Sequence, residues 1–267
     1  MAAAVASSTV PAGGLLSSSS ITALRRDTAA LRSKLGYIND FLDLLSSSFA
    51  LARLAPGASW STADQQQFST IEETLGVVHG ANDAIQTGCG LTQLLTGGMF
   101  FKTQADGSFQ VDTSSNKRVL FSPLSVLSKV TRLASKMLGT VKFMGSPVLP
   151  VYQLGSHARG LGLSSLAFGT VSSAFDVAEN TREVCATLTT KDKCCDSTQG
   201  NSFMERFKRA RAGMFALLCS VFDLLAQAFC FVCETVSNAF MGVHTAFIVG
   251  IFCFLSALGN VLLIAAS

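Results

Sequence analysis

Chemistry in a protein needs nucleophiles, acids or metal ligands at workable spacing, and this chain offers few. His79, His157 and His244 are isolated from one another, and no pair has metal-ligand spacing. Cys230-Phe231-Val232-Cys233 has the CxxC form, but it lies in a long apolar run and has no second pair to complete a zinc site. Gly160-Leu161-Gly162 looks like the start of a dinucleotide loop, yet residue 165 is serine and no strand-like run precedes it. The chain has neither a G-x-S-x-G elbow nor a P-loop. Cys194 and Cys195 are adjacent in KDKCCDSTQGN, where an unmodified pair, lipidation and a vicinal disulfide are all open. These residues predict a non-enzymatic protein with no catalytic residue, no cofactor and no metal.

One ionisable group stands out by its surroundings. Asp223 is the only charge in residues 212–233, and Gln227 follows it one turn later. A charge at the centre of a bilayer costs about 2.5–3.5 kcal/mol on insertion scales. Asp223 and Gln227 are therefore expected to point inward, toward Asn260 or Ser256 of the next apolar segment or toward another copy of the chain. Two roles stay open: hydrogen-bonded glue between helices, and a transport or proton-relay site.

The elements that must hold these groups follow from hydropathy. A helix over 212–233 is roughly 33 Å long, which matches a bilayer core. Residues 245–267 carry no charge. Together they predict a two-helix transmembrane hairpin with spans at about 212–233 and 245–266. Arg206, Lys208, Arg209 and Arg211 abut the first span, and the connection between the spans has no Lys or Arg. The positive-inside rule then keeps the preceding region, and the C-terminus with it, on the cytosolic side.

The rest of the chain fits a membrane protein. Only 14% of its 267 residues are charged, against about 25% in soluble domains. A net charge of +3 gives no electrostatic footprint for nucleic acid. The eight cysteines show no repeating framework, which suits a reducing compartment. Residues 1–20 are rich in Ser, Ala and Gly and uncharged, which suits a disordered leader or an uncleaved export signal.

Residues 21–202 are expected to form a helical body. Leu24, Leu31, Ile38 and Leu45 recur every seventh position, and Thr28, Leu35, Leu42 and Phe49 form a second series beside them, together making one apolar stripe for bundle packing or for a coiled-coil partner. APGAS (55–59) breaks the chain, and a second helix is expected near Ser61 or Thr62, with Asp64 or Gln65 placed for a capping box. Its buried face is expected at Phe68, Ile71, Leu75, Val78, Ile85 and Cys89, with Gly76 and Gly80 admitting a close neighbour. Asp106-Gly107, between strand-like runs in 99–113, predicts a small β-hairpin with a type I′ turn. Ser122-Pro123 opens a further helix, whose Lys129, Arg132 and Lys136 lie opposite an apolar arc. That basic face suits either a solvated bundle helix or contact with lipid or an acidic partner. Residues 143–175 are mildly apolar and Gly/Ser-rich, and are expected as a buried bundle helix, with Leu163, Ala167, Val171 and Ala174 as a small-residue face and a third membrane segment as the alternative.

The uncharged leader, the helical body and the bilobed hydrophobic hairpin of 212–267 together resemble chlamydial inclusion membrane proteins. That family is type III secreted and inserts such a hairpin into a pathogen-containing vacuole membrane, with both termini in the host cytosol. The lobes here are C-terminal, whereas many members carry them nearer the N-terminus. The resemblance implies an effector that recruits or tethers host proteins and supplies no catalytic residues.

The expected fold is therefore all-α, a helical-bundle body (21–202) with a β-hairpin excursion, followed by a basic flank and transmembrane hairpin (203–267). Expected partners are the lipid bilayer, a host protein and a second copy of the chain, with no nucleic acid. Two other functions are open: membrane shaping by the basic helix (119–143) and hairpin wedge, and a small channel or carrier centred on Asp223.

Overall fold

The computed structural model describes residues 17–55, 57–147, 149–189, 203–235 and 243–266. The leader 1–16, the Cys194-Cys195 loop and the connection at 236–242 lie outside the described residues, as do the side chains of Arg206, Lys208 and Arg209. The chain is mainly helical, as expected. Six helices follow one another: α1 (Ser18–Leu54), α2 (Thr62–Leu95), α3 (Pro123–Met144), α4 (His157–Thr189), α5 (Phe203–Thr235) and α6 (Val243–Ala266).

Local chemistry sets the starts of the first three. Ser17 caps α1, accepting from the Ser20 amide at 3.2 Å. Ser61 and Asp64 form the expected capping box on α2, with reciprocal amide contacts of 3.2 and 3.1 Å. Ser122 caps α3 with Pro123 in the first turn, where its missing N–H costs nothing.

The helices run up and down around a closed ring. Each packs on its neighbours in the chain, and α6 returns to pack on α1; among the described residues no helix pair meets across the middle. The order of the contacts shows the antiparallel sense. Arg53 reaches Glu72 at the end where α1 turns into α2, and Gln93 reaches the Arg25 carbonyl at the other end. On the closing seam, Gly250 of α6 lies against Leu51 of α1. Residues 203–267 are thus not set apart from the preceding helices, since α5 packs on α4 and α6 on α1.

Small and polar residues make the seams. At α3–α4, Ser135 Oγ donates to the Ser165 carbonyl at 2.7 Å and Ser165 Oγ returns a bond to the Ser135 carbonyl at 2.8 Å. Ser172 Oγ donates to the Ser128 carbonyl at 3.0 Å one step along. Such reciprocal serine contacts let two backbones approach closely, a packing mode suited to helices in lipid. Gly90 does the same at α2–α3, where a Cβ would meet Leu133 Cδ1 at 2.6 Å. Gly80 is closed off by Phe143, as its spacing suggested, whereas Gly76 has open space.

The expected β-hairpin is not formed: the described residues contain no strand. Residues 99–121 instead make three isolated antiparallel bridges, Thr103–Phe109, Phe101–Leu120 and Val111–Arg118. Asp106-Gly107 does reverse the chain, but only Gly107 is left-handed (φ +87°), so the reversal is a three-residue loop closed by a 2.8 Å bond from the Gln104 amide to the Ser108 carbonyl. A second reversal at Asp112–Asn116 turns the chain again before any ladder can lengthen; Asn116 takes φ +50° there. Arg25 fastens this excursion to α1. Its guanidinium donates to the Gly107 carbonyl at 2.7 Å and sits 3.8 Å over the Phe109 ring.

Candidate functional site: a polar lumen

The ring encloses a cavity of about 1080 Å³ to which all six helices contribute. Its lining mixes polar side chains with alanines, glycines and a few larger apolar residues such as Met99, Phe121 and Val249. On α1 the lining positions are 29, 32, 33, 36, 39, 40, 43, 46, 47 and 50, the 3–4 spacing of a single helical stripe. Leu24, Leu31 and Ile38 lie on the other side of α1 and are 39%, 43% and 47% exposed. This half of the expected stripe is therefore turned outward, with Leu45 half-buried beside it, whereas Leu42 of the second series is buried as bundle packing requires.

Other helices likewise expose apolar residues expected inside, although Cys89 of α2 is buried as expected and Leu133 of α3 is buried too. On α2, Val78 and Ile85 are exposed while Asn82, Gln86 and Gln93 are buried. On α3, Lys129, Arg132 and Lys136 line the cavity, and Leu127, Val130, Met137 and Val141 are exposed. The basic face expected to meet lipid or a partner is directed inward. On α4, Val171 and Phe168 face out, correcting the expected small-residue face, while Gly169, Ser172 and Asp176 line the cavity. On α5 the exposed residues are Leu218, Phe229 and Val232; on α6, Ile248 and Leu262. Buried polar residues among those described number ten, against nine hydrophobic ones, the reverse of a soluble core.

Inside, charges from different helices meet. Asp83 of α2 accepts from Lys136 Nζ of α3 at 2.9 Å and from Asn39 Nδ2 of α1 at 3.1 Å. His79 lies between Asp43, at 3.6 Å, and Asp83, at 3.5 Å. Arg132 is paired with Asp176 of α4, which also accepts from Ser128 Oγ. Lys136 bonds the Gln86 side-chain oxygen as well. Asp223 of α5 accepts a hydrogen bond from Ser256 of α6, one of the two partners expected for it. The other, Asn260, bonds Asp40 of α1 instead. Gln227 turns to the cavity beside Gly169, where a Cβ would meet its Oε1 at 2.9 Å. Arg211 of the basic flank is exposed.

The arrangement is a chamber into which charged and hydroxyl side chains from several helices project. No group of three His, Cys, Asp or Glu among the described residues is placed to hold a metal. Sequence reading missed Arg32, Asp40, Asp43, Asp83 and Asp176 as members of one site. The signal for them was the 3–4 recurrence of polar positions along α1, which carries as much periodicity as the leucine stripe beside it.

Two helices are long and apolar enough to cross a membrane, α4 and residues Ala210–Thr235 of α5; Phe247–Leu263 of α6 is a shorter apolar stretch. The expected buried bundle helix of 143–175 thus corresponds to a helix that meets the membrane criterion. No protein family, characterised protein or solved structure matches the chain, so what can be said of its function rests on this chamber and the polarity around it.

Proposed function

We propose that the chain is a membrane-embedded six-helix barrel whose lumen holds or passes a polar solute. One observation carries this reading: all six helices line a shared cavity with polar side chains, and each also exposes large apolar side chains that are not part of that lining. Water favours the opposite arrangement, because exposed apolar surface is costly. Lipid favours this one, because acyl chains accept apolar side chains and a polar lumen keeps charges hydrated. Of the charges on α2 and α3 that line the lumen, Arg132 pairs there with Asp176 of α4 and Lys136 with Asp83.

The positive-inside rule supports an orientation. Arg25, Arg26, Lys102, Lys117, Arg118 and the 206–211 cluster belong to the end of the ring bearing both termini; the opposite end has Arg53, Lys142 and Arg159. Both termini are then cytosolic.

The test is reconstitution of the purified full chain into liposomes, followed by light-scattering of vesicles shrunk in small polar solutes. Solute-dependent reswelling above that of protein-free vesicles, reduced by a bulky substitution in the lumen such as Ser172→Trp, is expected. Protein recovered as a detergent-free, monodisperse particle in buffer is the result that overturns the reading.

A second reading, recruitment of a host protein at an inclusion membrane, is favoured by the exposure of Leu24, Leu31 and Ile38. Pull-down with the full chain, lost on Leu31→Asp with Ile38→Asp while insertion is kept, supports that reading over a lipid role for the stripe.

A further inference from the structure

The lumen's charges are not evenly mixed. Toward the end bearing the termini, Arg32 of α1 and Lys129 of α3 face the cavity, and among the described residues neither has a carboxylate at ion-pair distance. Lys129 Nζ lies instead 2.8 Å from the centroid of the Phe121 ring. The two cations act on each other through the cavity. Deeper in, Asp40 of α1 and Asp223 of α5 face the same space with no cation at ion-pair distance, and they repel each other and Asp43. Arg132–Asp176 and Lys136–Asp83 are already matched. What is left is a positive tier with no carboxylate partner and a pair of carboxylates, Asp40 and Asp223, which are hydrogen-bonded by Asn260 and Ser256 and acted on at longer range by Arg132, whose own partner is Asp176. Arg32 and Asp40 are eight residues apart on α1, about 12 Å along its axis, too far to satisfy each other.

A ligand that relieves both tiers must carry a negative and a positive group at that separation. An inorganic ion meets one tier only. A free amino acid is too short to reach both. Three extended residues span about 10 Å between their ends, and a peptide that long carries a carboxylate at one end and an ammonium at the other. The cavity of about 1080 Å³ is ample for it. Its walls between the tiers include Ser33, Gly36, Ser172 and Ser173, which leave room for varied side chains.

Resting on the reading of the lumen as a solute chamber, we propose that the barrel binds short unblocked peptides of about three residues, the carboxylate at Arg32 and Lys129 and the ammonium at Asp40 and Asp223.

The experiment is calorimetric titration of the full chain in detergent with trialanine, with N-acetyl-trialanine and with trialanine amide. Trialanine is expected to bind, and each blocked peptide to bind at least tenfold more weakly, the scale of a lost charge-assisted contact. Arg32→Gln is expected to shrink the penalty for amidation and leave that for acetylation; Asp40→Asn, the reverse. Arg32→Lys keeps the charge and is expected to keep both penalties. Thermal unfolding of each variant shows which remain folded, and the wild-type comparison of blocked with free peptide stands without any variant. No binding, equal binding of all three peptides, or a penalty at one end alone overturns the proposal. Membrane insertion and solute reswelling are measured without peptide, so a barrel that inserts and passes solutes but ignores peptides sinks this inference and leaves the function standing.

Discussion

Lys136 Nζ of α3 lies 2.9 Å from Asp83 Oδ1 of α2, so two neighbouring helices are fastened from inside the cavity as well as by the packing of Leu133 on Gly90 and Phe143 on Gly80. Both side chains are about one-fifth exposed. Removing one partner leaves the other charged in a poorly hydrated wall. Lys136→Met is therefore expected to destabilise the barrel by about 1–3 kcal/mol, less than the 3–5 of a fully buried pair because lumen water reaches the site. The double variant with Asp83→Asn should recover part of that loss. Chemical unfolding in micelles, arranged as a double-mutant cycle, measures the coupling. A purely additive double variant means that the contact contributes nothing.

How much of this was legible beforehand depends on the kind of signal. Capping chemistry was readable because it is local: Ser61 with Asp64, and Ser122 with Pro123, specify helix starts whatever surrounds them. The stripe of Leu24, Leu31 and Ile38 was readable as a stripe, but not the direction it faces. Periodicity gives the relative phase of polar and apolar sides, and only the solvent decides which is outside. A water-facing body was assumed, so the basic side of α3 was turned outward and the polar side of α1 was overlooked. The Asp106-Gly107 turn was also legible as a reversal. The ladder it implied was not, because the nearby reversal at Asp112–Asn116 competes for the same few residues. Nothing local marks the closure of α6 on α1, which is a contact between the two ends of the chain.

The latch at Arg25 should be sensitive to small changes. Its guanidinium reaches two carbonyls, Gly107 at 2.7 Å and Thr96 at 3.2 Å, and stacks on Phe109. Lysine cannot reproduce two directed bonds with a stacked plane. Arg25→Lys is expected to loosen residues 97–121 by about 1–3 kcal/mol while α2 and α3 stay helical. Gly107→Ala should do the same by another route, since φ is +87° and the added Cβ would meet the Thr22 carbonyl at 2.4 Å. Limited proteolysis in the excursion, faster in both variants with unchanged far-ultraviolet circular dichroism, checks it.

The two reversals of the excursion should respond to acid. Hydrogen bonds from Ser108 hold the Asp106 carboxyl below the usual carboxylate range, and those from Ser115 and Ser114 do so for Asp112. A carboxyl whose folded value is depressed stabilises the fold fully above its unfolded value, near 3.9, and ceases to do so as pH falls through the lower folded value. Amide exchange at Ser108 and Ser114, corrected for the intrinsic pH dependence of exchange, is expected to lose protection below about pH 4. In Asp106→Asn with Asp112→Asn that acid step should vanish. A step of the same size in the double variant places the sensitivity elsewhere.

The sharpest prediction concerns which solvent the outer wall meets. Phe168 and Val171 of α4 are 41% and 44% exposed, and Ser172 and Ser173, adjacent in sequence, are 1% and 5%. If water surrounded the ring, a lysine at 171 would be harmless or helpful, as at any exposed helix position. In lipid, the same lysine has to reach an interface or drag water with it, at about 2.5–3.5 kcal/mol near mid-membrane. Val171→Lys is therefore expected to lower the inserted fraction by tenfold or more, whereas Val171→Leu leaves it unchanged. A control on the lumen side, Ser33→Lys, should insert normally because its charge meets the hydrated cavity. Fractions are read from membrane flotation of protein synthesised in the presence of liposomes. Equal insertion of Val171→Lys and wild type would mean that the apolar outer wall is covered by something other than acyl chains.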